Sequence, residues 1–222
     1  MIGAVLFDID GTLIDSNDLH AAAWRETFLH FGIDLPLEEI RQQIGKGGDN
    51  LIPALLPKEL AEARQEEMEE FRSELFKRDY LPRVVPFPYV RELFERLKVD
   101  GRKIVLASSA KGAEVAFHVG IIGAEDLVTA TTSADDVEHS KPCPDIFAAA
   151  LEKVKPLGPD QVVVIGDSPY DVLAAKKLGI RTIGVRSGGF PDRILIDAGV
   201  DELYDGPEDL LRNYDRSLLA TA

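Results

Sequence analysis

The stretch AVLFDIDGTLID, residues 4–15, decides the fold prediction. Its apolar residues 4–7 predict a strand buried on both faces, as in a parallel sheet. Two acids, Asp8 and Asp10, follow at the tip of this strand, and Gly11 ends the extended pattern. Because Asp and Gly are ordinary turn residues, this stretch alone leaves a solvated loop and a chemical site equally open.

The composition restricts the class of protein. The 222 residues, of which 45 % are hydrophobic, are enough for a buried core. With Cys143 as its single cysteine, the chain has no internal disulfide, and it shows no secretory signal or membrane-spanning run. We therefore expect a cytoplasmic protein with no membrane partner. The net charge of −14 also argues against a nucleic-acid partner.

Apolar runs and helical patterns alternate along most of the chain. Runs of strand length occur at residues 4–7, 103–107, 127–130, 162–166 and 181–185. Amphipathic patterns predict helices at residues 89–101, 145–154 and 171–179. This alternation predicts an α/β fold with a Rossmann-like core, in which a parallel sheet has helices on both faces.

One region breaks the alternation. Residues 16–82 contain no strand-like run, and the charge-rich segment 57–80 has apolar residues at roughly helical spacing. A proline-rich segment, 81–88, follows it. We therefore predict that residues 1–15 and 83–222 form the core and that residues 16–82 form an inserted, all-helical cap domain.

Polar residues also follow three later predicted strands. Ser108 follows the second strand, Lys141 lies beyond the third, and Asp167 and Asp171 follow the fourth. Taken singly, Ser108 could cap a helix and Lys141 could lie in an exposed loop. Parallel sheets, however, bind ligands at the carboxyl ends of their strands. Together with the two acids of the first strand, these residues predict one crevice.

The motifs in this order resemble those of the haloacid dehalogenase superfamily. The resemblance covers nearly the whole chain through FDIDGTL (7–13), KPCPDIF (141–147) and GDSPYDVLAAKKLGIRTIGV (166–185). The insert is similar to a C1-type helical cap. DLHAAAW (18–24) resembles the start of the cap in β-phosphoglucomutase-like members. The subgroup that the chain resembles is that of the phosphoglycolate phosphatases and β-phosphoglucomutase-like proteins.

The resemblance implies phosphoryl transfer through an aspartyl-phosphate, with Mg²⁺ as cofactor. Asp8 would be the nucleophile, and Asp10 the general acid and then the general base. Side chains at i and i+2 of an extended segment share a face, so both carboxyls can address one phosphorus. Ser108 and Lys141 would stabilise the transferring group. The metal would be held by Asp8, the main-chain carbonyl of Asp10, Asp167 and, directly or through water, Asp171.

Three further residues are candidate substrate contacts. Main-chain amides near Ser109 would bind phosphate oxygens by resemblance. His20 would control Asp10 by the same resemblance, although a packing role beside Trp24 explains it equally well. Lys46, in the loop GKGGDN (45–50), could contact the substrate from the cap.

These observations predict a phosphoric monoester hydrolase, a Mg²⁺-dependent phosphatase. Its partner would be a small phosphorylated metabolite, such as a sugar phosphate or phosphoglycolate. The alternative is a β-phosphoglucomutase-like mutase, which His20 favours, whereas Thr12 and a cap loop without Arg favour the phosphatase. A non-catalytic phosphate-binding family member is the alternative of a different class. We make no prediction of oligomeric state.

Overall fold

A six-stranded parallel sheet forms the centre of the computed structural model, which describes residues 1–220. The strands of the chain are β1 (Ala4–Phe7), β2 (Ile14–Asp15), β3 (Val85–Pro86), β4 (Lys103–Ala107), β5 (Ala130–Thr132), β6 (Val162–Gly166), β7 (Arg181–Val185) and β8 (Glu202–Tyr204). The order across the large sheet is β5-β4-β1-β6-β7-β8, and β2 pairs with β3 in a separate antiparallel ribbon. The fold-class prediction is confirmed.

Helices cover both faces of this sheet. They are α1 (Asn17–His30), α2 (Leu37–Arg41), α3 (Gly48–Leu55), α4 (Lys58–Leu75), α5 (Val90–Val99), α6 (Gly112–Ile122), α7 (Asp145–Lys153), α8 (Pro169–Lys177), α9 (Asp192–Ala198) and α10 (Pro207–Arg212). Alternate residues of β1 enter two separate cores: Val5 and Phe7 lie with α5 and α6, whereas Ala4 and Leu6 lie with α7 and α8. None of the helices within residues 1–220 is both long and apolar enough to cross a membrane.

The named elements between β2 and β3 are all helical, joined by turns and short irregular stretches. They are α1 to α4, a π-helical segment Phe76–Tyr80 and a 3₁₀ turn Leu81–Arg83. We call α1 to α4 with these two segments the helical insert. It has its own apolar cluster, which includes Trp24 and Phe28 of α1 and Met68 of α4. The division into a core of residues 1–15 and 83–222 and a cap of residues 16–82 stays a prediction.

The structure departs from the sequence prediction at the edges of the sheet. The strand predicted at 127–130 lies instead at Ala130–Thr132, because the N–H groups of Leu127 and Val128 turn back to the carbonyl of Ala124. β8 was not predicted, since its three residues are only half-buried and show no apolar run. The predicted helix 171–179 begins two residues earlier, where Ser168 caps it.

Candidate active site

The register of the sheet brings three strand ends to one level. Phe7, the last residue of β1, lies opposite Leu106 of β4 and Ile165 of β6. Asp8 therefore leaves the sheet between the ends of its two neighbours, close to Ser108 and Asp167. Gly11 adopts a φ of +75°, which favours glycine, and a Cβ there would lie 2.5 Å from an oxygen of Asp167.

A buried cluster of three acids and one lysine lies at this edge. Oxygen atoms of Asp8, Asp167 and Asp171 all fall within 4.8 Å of one another. The Lys141 ammonium pairs with Asp8 and, at 2.7 Å, with Asp171. Burial acts to lower the pKa of Lys141, but the charges of Asp171 and Asp8 outweigh burial and raise it. Lys141 is therefore a permanent cation beside Asp8.

One lysine does not neutralise this cluster. Burial, reinforced by Asp171 and Asp10 and opposed by Lys141, raises the pKa of Asp8 to about 7. Burial and the charges of Asp8 and Asp171 also raise the pKa of Asp167. A bound divalent cation would remove this repulsion, and carboxylate oxygens are the ligands that Mg²⁺ prefers. The residues present thus fit a hard cation.

Asp171 has both of its carboxylate oxygens engaged. Oδ1 accepts the hydrogen bond from Lys141, and Oδ2 accepts hydrogen bonds from the Ser168 hydroxyl at 2.6 Å and the Ser168 N–H at 3.1 Å. Ser168 is the N-cap of α8, so this helix end fixes Asp171. The arrangement favours a role for Asp171 in holding Lys141 over direct ligation of a metal.

A chain of polar contacts runs from Asp10 into the helical insert. Asp10 Oδ1 accepts a hydrogen bond from Ser16 at 2.6 Å and lies 2.7 Å from His20 Nε2. The Arg72 guanidinium contacts the other ring nitrogen of His20, and the His20 ring stacks on Phe76. Burial acts to raise the pKa of Asp10, but His20, His118 and Ser16 outweigh it and lower that pKa. Asp10 is therefore held ionised, in its proton-accepting form.

The cavity in front of these acids lies between core and insert. Asp8, Asp10, Ser109 and Lys141 line it from the core, and His20, Lys46 and Arg72 line it from the insert. Lys46 also donates a hydrogen bond to Gln43 at 2.6 Å, and its ammonium lies 4.7 Å from the centre of the Tyr170 ring.

Ser108 and Ser109 occupy different positions at the end of β4. Ser108 is fully buried, and its hydroxyl oxygen accepts a hydrogen bond from the Ala110 N–H at 3.0 Å. Within residues 1–220, it is Ser109 that lines the cavity, and its hydroxyl has no hydrogen-bond partner there. Of the predicted residues, three do not line this cavity: Asp167 and Asp171 lie beside Asp8 in the buried acid cluster, and Ser108 is buried at the end of β4. The others line it; they are Asp8, Asp10, His20, Lys46, Ser109 and Lys141.

Comparison with known proteins identifies the family. The family model of the haloacid dehalogenase-like hydrolases matches residues 5–185, which is most of the chain and includes the acid cluster. The chain belongs to this family. The resemblance noted from the sequence is thereby confirmed.

Individual relatives of this haloacid dehalogenase-like hydrolase align with it over nearly its full length. The phosphorylated carbohydrates phosphatase of Thermotoga maritima is 30 % identical, and the alignment covers 94 % of this chain and 96 % of that protein. The chloroplastic protein Suppressor of Quenching 1 of Arabidopsis thaliana is 31 % identical over 92 % of this chain, which spans only 20 % of that longer protein. The crystal structure of a hydrolase from Pseudomonas syringae superposes with a TM-score of 0.89 at 29 % identity, covering 96 % of this chain and 98 % of that one.

Two polar residues of the hydrolase's insert were missed by sequence reasoning. Asn17, the first residue of α1, donates hydrogen bonds to Asp167 at 2.7 Å and to the Gly188 carbonyl at 3.1 Å. Nothing in its sequence context distinguishes it from a helix-start residue. Arg72 does carry a signal: it is spaced as a helical neighbour of Met68 and Phe76, so a charge lies within an apolar stripe of a charge-rich helix.

Gly188 provides a test of the acid cluster that does not alter an acid. A Cβ at Gly188 would lie 1.7 Å from Asp167 Oδ2 and 2.3 Å from its Cγ, so any side chain displaces Asp167. If the cluster binds Mg²⁺, Gly188→Ala should weaken activation by Mg²⁺ at least about 10-fold, the usual effect of disturbing a metal ligand's surroundings. The measurement is the Mg²⁺ concentration for half-maximal activity. Gly206→Ala is the control, because its Cβ would meet its nearest atom at an ordinary 3.7 Å; equal shifts in both variants would contradict the placement of Asp167.

Proposed function

We propose that this haloacid dehalogenase-like hydrolase is a Mg²⁺-dependent phosphatase that cleaves small phosphomonoesters through an aspartyl-phosphate. The observation that carries the proposal is the buried Asp8 carboxylate, paired with Lys141 and beside Asp167 and Asp171 at the base of a cavity. The printed name of the Thermotoga relative, a phosphatase of phosphorylated carbohydrates, supports the same reaction class.

The proposed reaction has two steps. The negative charge of a bound substrate would raise the pKa of Asp10, so that Asp10 takes up a proton when the substrate binds. A carboxylate oxygen of Asp8 attacks phosphorus, the ester P–O bond breaks, and Asp10 gives this proton to the departing alkoxide oxygen. A water molecule then attacks phosphorus and the Asp8 O–P bond breaks, while Asp10 accepts the proton of that water. The products are an alcohol and inorganic phosphate, and both carboxylates return to their starting state. His20, which contacts Asp10 at 2.7 Å, is placed to share its proton.

Mg²⁺ would be held by Asp8, the main-chain carbonyl of Asp10 and Asp167. When bound, it would neutralise charge between the crowded acids and the phosphoryl group. Asn17 and Thr12 orient the carboxylate of Asp167, through hydrogen bonds of 2.7 and 3.4 Å. The Lys141 ammonium stabilises negative charge at Asp8 in both steps.

The helical insert would exclude water from the first step. Asp49 and Asn50 of α3 and the Gly47 N–H all hydrogen-bond to Ser140, the residue before Lys141, at 2.9 to 3.1 Å. Arg41 of α2 contacts the carbonyl of Gly188, which lies against Asp167. These bonds hold the insert over the acids, as a lid holds a substrate away from bulk water.

Hydrolysis of p-nitrophenyl phosphate tests the proposal. We expect turnover with Mg²⁺ and a loss of about 100-fold or more in excess EDTA, restored by adding Mg²⁺, because the acid cluster then loses its counter-charge. Initial rates of p-nitrophenol release measure this. Full activity in excess chelator would contradict the metal role, and absence of any turnover with Mg²⁺ would contradict the phosphatase.

A sugar-phosphate mutase is the second candidate, and one contact favours it. The cap loop 45–50 lacks an arginine, but α4 places the Arg72 guanidinium in the cavity beside His20. A guanidinium suits a second phosphate. Release of inorganic phosphate from β-glucose 1-phosphate supports the phosphatase, whereas its conversion to glucose 6-phosphate without release supports the mutase.

A further inference from the structure

A second cavity adjoins the one that contains the acids. It has a volume of about 240 Å³ and extends away from Asp8 and Asp10 along the wall formed by α3, α4 and the first turn of α6. The two cavities share Trp24, Arg72, Ser109 and Glu114 as lining residues. In the proposed reaction, Asp10 protonates the ester oxygen, so the group attached to that oxygen must extend from phosphorus on the side of Asp10. We expect this leaving group to occupy the second cavity. The residues that line the second cavity would then determine which leaving groups bind.

Most of the charged side chains that line the second cavity are acidic. The lining carries four carboxylates against two cations; the carboxylates are Asp49, Glu69, Glu114 and Glu138, and the cations are Arg72 and Lys111. Lys111 and Glu138 are both exposed, so water screens their charges. The remaining lining has three carboxylates, Asp49, Glu69 and Glu114, against Arg72, which already contacts His20. An anionic leaving group would face net repulsion in this space.

Glu114 is the unexplained member of this lining. It is 4 % exposed, and within residues 1–220 its Oε1 accepts no hydrogen bond and its carboxylate forms no ion pair. It lies in the first turn of α6, where the helix N-terminus attracts negative charge. A buried carboxylate oxygen without a donor is costly. A donor supplied by the substrate would satisfy it.

A neutral donor suits this position better than a cation. Arg72 already supplies positive charge to Glu114, because the carboxylate of Glu114 acts on the guanidinium electrostatically. Ser109, whose hydroxyl is also without a partner in the described chain, lines the same cavity and can donate or accept a hydrogen bond. Together, this carboxylate and this hydroxyl can hydrogen-bond to hydroxyl groups of a substrate.

We propose that Glu114 is a specificity-determining residue that accepts a hydrogen bond from a leaving-group hydroxyl, so that the enzyme prefers monophosphates of neutral polyhydroxylated compounds to phosphorylated acids. This inference rests on the proposed phosphatase activity and narrows its substrate class. It excludes substrates such as 2-phosphoglycolate or pyrophosphate from the preferred set, since their leaving groups are anionic.

Substitution of Glu114 tests the inference with three substrates. They are fructose 1-phosphate as the polyhydroxylated probe, 2-phosphoglycolate as the anionic probe and p-nitrophenyl phosphate as the reference. In Glu114→Ala, we expect the kcat/KM ratio of fructose 1-phosphate to the reference to fall roughly 10- to 100-fold, the usual range for a hydrogen bond to a charged group. In Glu114→Gln, the ratio of 2-phosphoglycolate to the reference should rise about 5-fold, because one repelling charge is removed.

The controls separate specificity from structure. Glu125→Gln removes the same charge from an exposed position just beyond α6, outside both cavities, and should leave these ratios as in the wild type. A loss of the same factor for all three substrates in the Glu114 variants would show a structural role and overturn the inference. So would a wild-type preference for 2-phosphoglycolate over fructose 1-phosphate.

Failure of the inference and failure of the proposed function give different results. If the wild type hydrolyses p-nitrophenyl phosphate with Mg²⁺ but Glu114 has no effect on the ratios, only the inference is wrong. If the wild type hydrolyses none of the three substrates, the phosphatase proposal fails, and the inference fails with it. Thermal unfolding of each variant shows whether it folds.

Discussion

Asp8→Asn should lower turnover of p-nitrophenyl phosphate by roughly three orders of magnitude or more, since the amide is a poor nucleophile for phosphorus. The substitution keeps the size of the side chain and a hydrogen-bond acceptor for Lys141, which contacts Asp8 in the wild type. The fold should therefore persist. Steady-state rates with Mg²⁺, together with circular dichroism of the purified variant, measure the two expectations.

Asp15→Asn is the matched control for this substitution. Asp15 lies seven residues further along, at the exposed end of β2, and its replacement removes the same charge without touching the cavity. Substantial activity in Asp8→Asn, or an equal loss in both variants, would contradict the assignment of Asp8 as nucleophile.

Asp8→Asn should also change how the stability of the metal-free protein depends on pH. Burial raises the pKa of Asp8 from 3.8 to about 7, so the folded chain binds this proton more tightly than the unfolded chain. Stability from this group is therefore present below pH 3.8 and is lost as the pH rises to about 7. In EDTA, the melting temperature of Asp8→Asn should fall less over this range than that of the wild type. A steeper fall in the variant would contradict a raised pKa of Asp8 in the folded chain.

Asp10→Asn should separate the two steps of the reaction. The p-nitrophenolate group leaves without needing a proton, so phosphorylation of Asp8 continues, whereas hydrolysis of the aspartyl-phosphate loses its general base. We expect steady-state turnover to fall by about 10²- to 10⁴-fold, the usual contribution of general acid–base catalysis. The phosphorylated enzyme should then accumulate.

Intact-protein mass spectrometry after brief incubation with substrate and Mg²⁺ detects this species. One added phosphoryl group should remain on Asp10→Asn and be absent from the double variant Asp8→Asn/Asp10→Asn. A phosphorylated double variant would place the nucleophile elsewhere. Turnover of Asp10→Asn at the wild-type rate would remove Asp10 from the mechanism.

The central strands were predictable because their signal is local. β1, β4, β6 and β7 occupy the spans predicted from continuous apolar runs, and each is buried along almost its whole length. When both faces of a sheet are buried, consecutive residues of a strand are all apolar, so such a strand appears in the sequence as a continuous apolar run. The edge strands β5 and β8 are short and partly exposed, which removes that signal.

The core acids and Lys141 were predictable as a group for a related reason. Parallel strands send their carboxyl ends to one edge, so residues that follow apolar runs converge whatever their distance along the chain. Lys141 and Asp8 are separated by 133 positions and yet form an ion pair. A four-residue strand and its register are sufficient to place Asp8 at the end of the sheet.

By itself, the sequence determined the family, the α/β class, the four central strands and the residues that follow them. The tertiary structure decided which other side chains lie around these acids: Asn17 of the helical insert contacts Asp167, Arg72 of the insert contacts His20, and Glu114 of α6 lines the same cavity. The physical reason is that a strand-end position follows from local hydrophobicity, whereas a contact between segments far apart in the chain depends on how they pack. Asn17 and Asp167 are 150 positions apart, and no periodic pattern in either segment predicts their hydrogen bond.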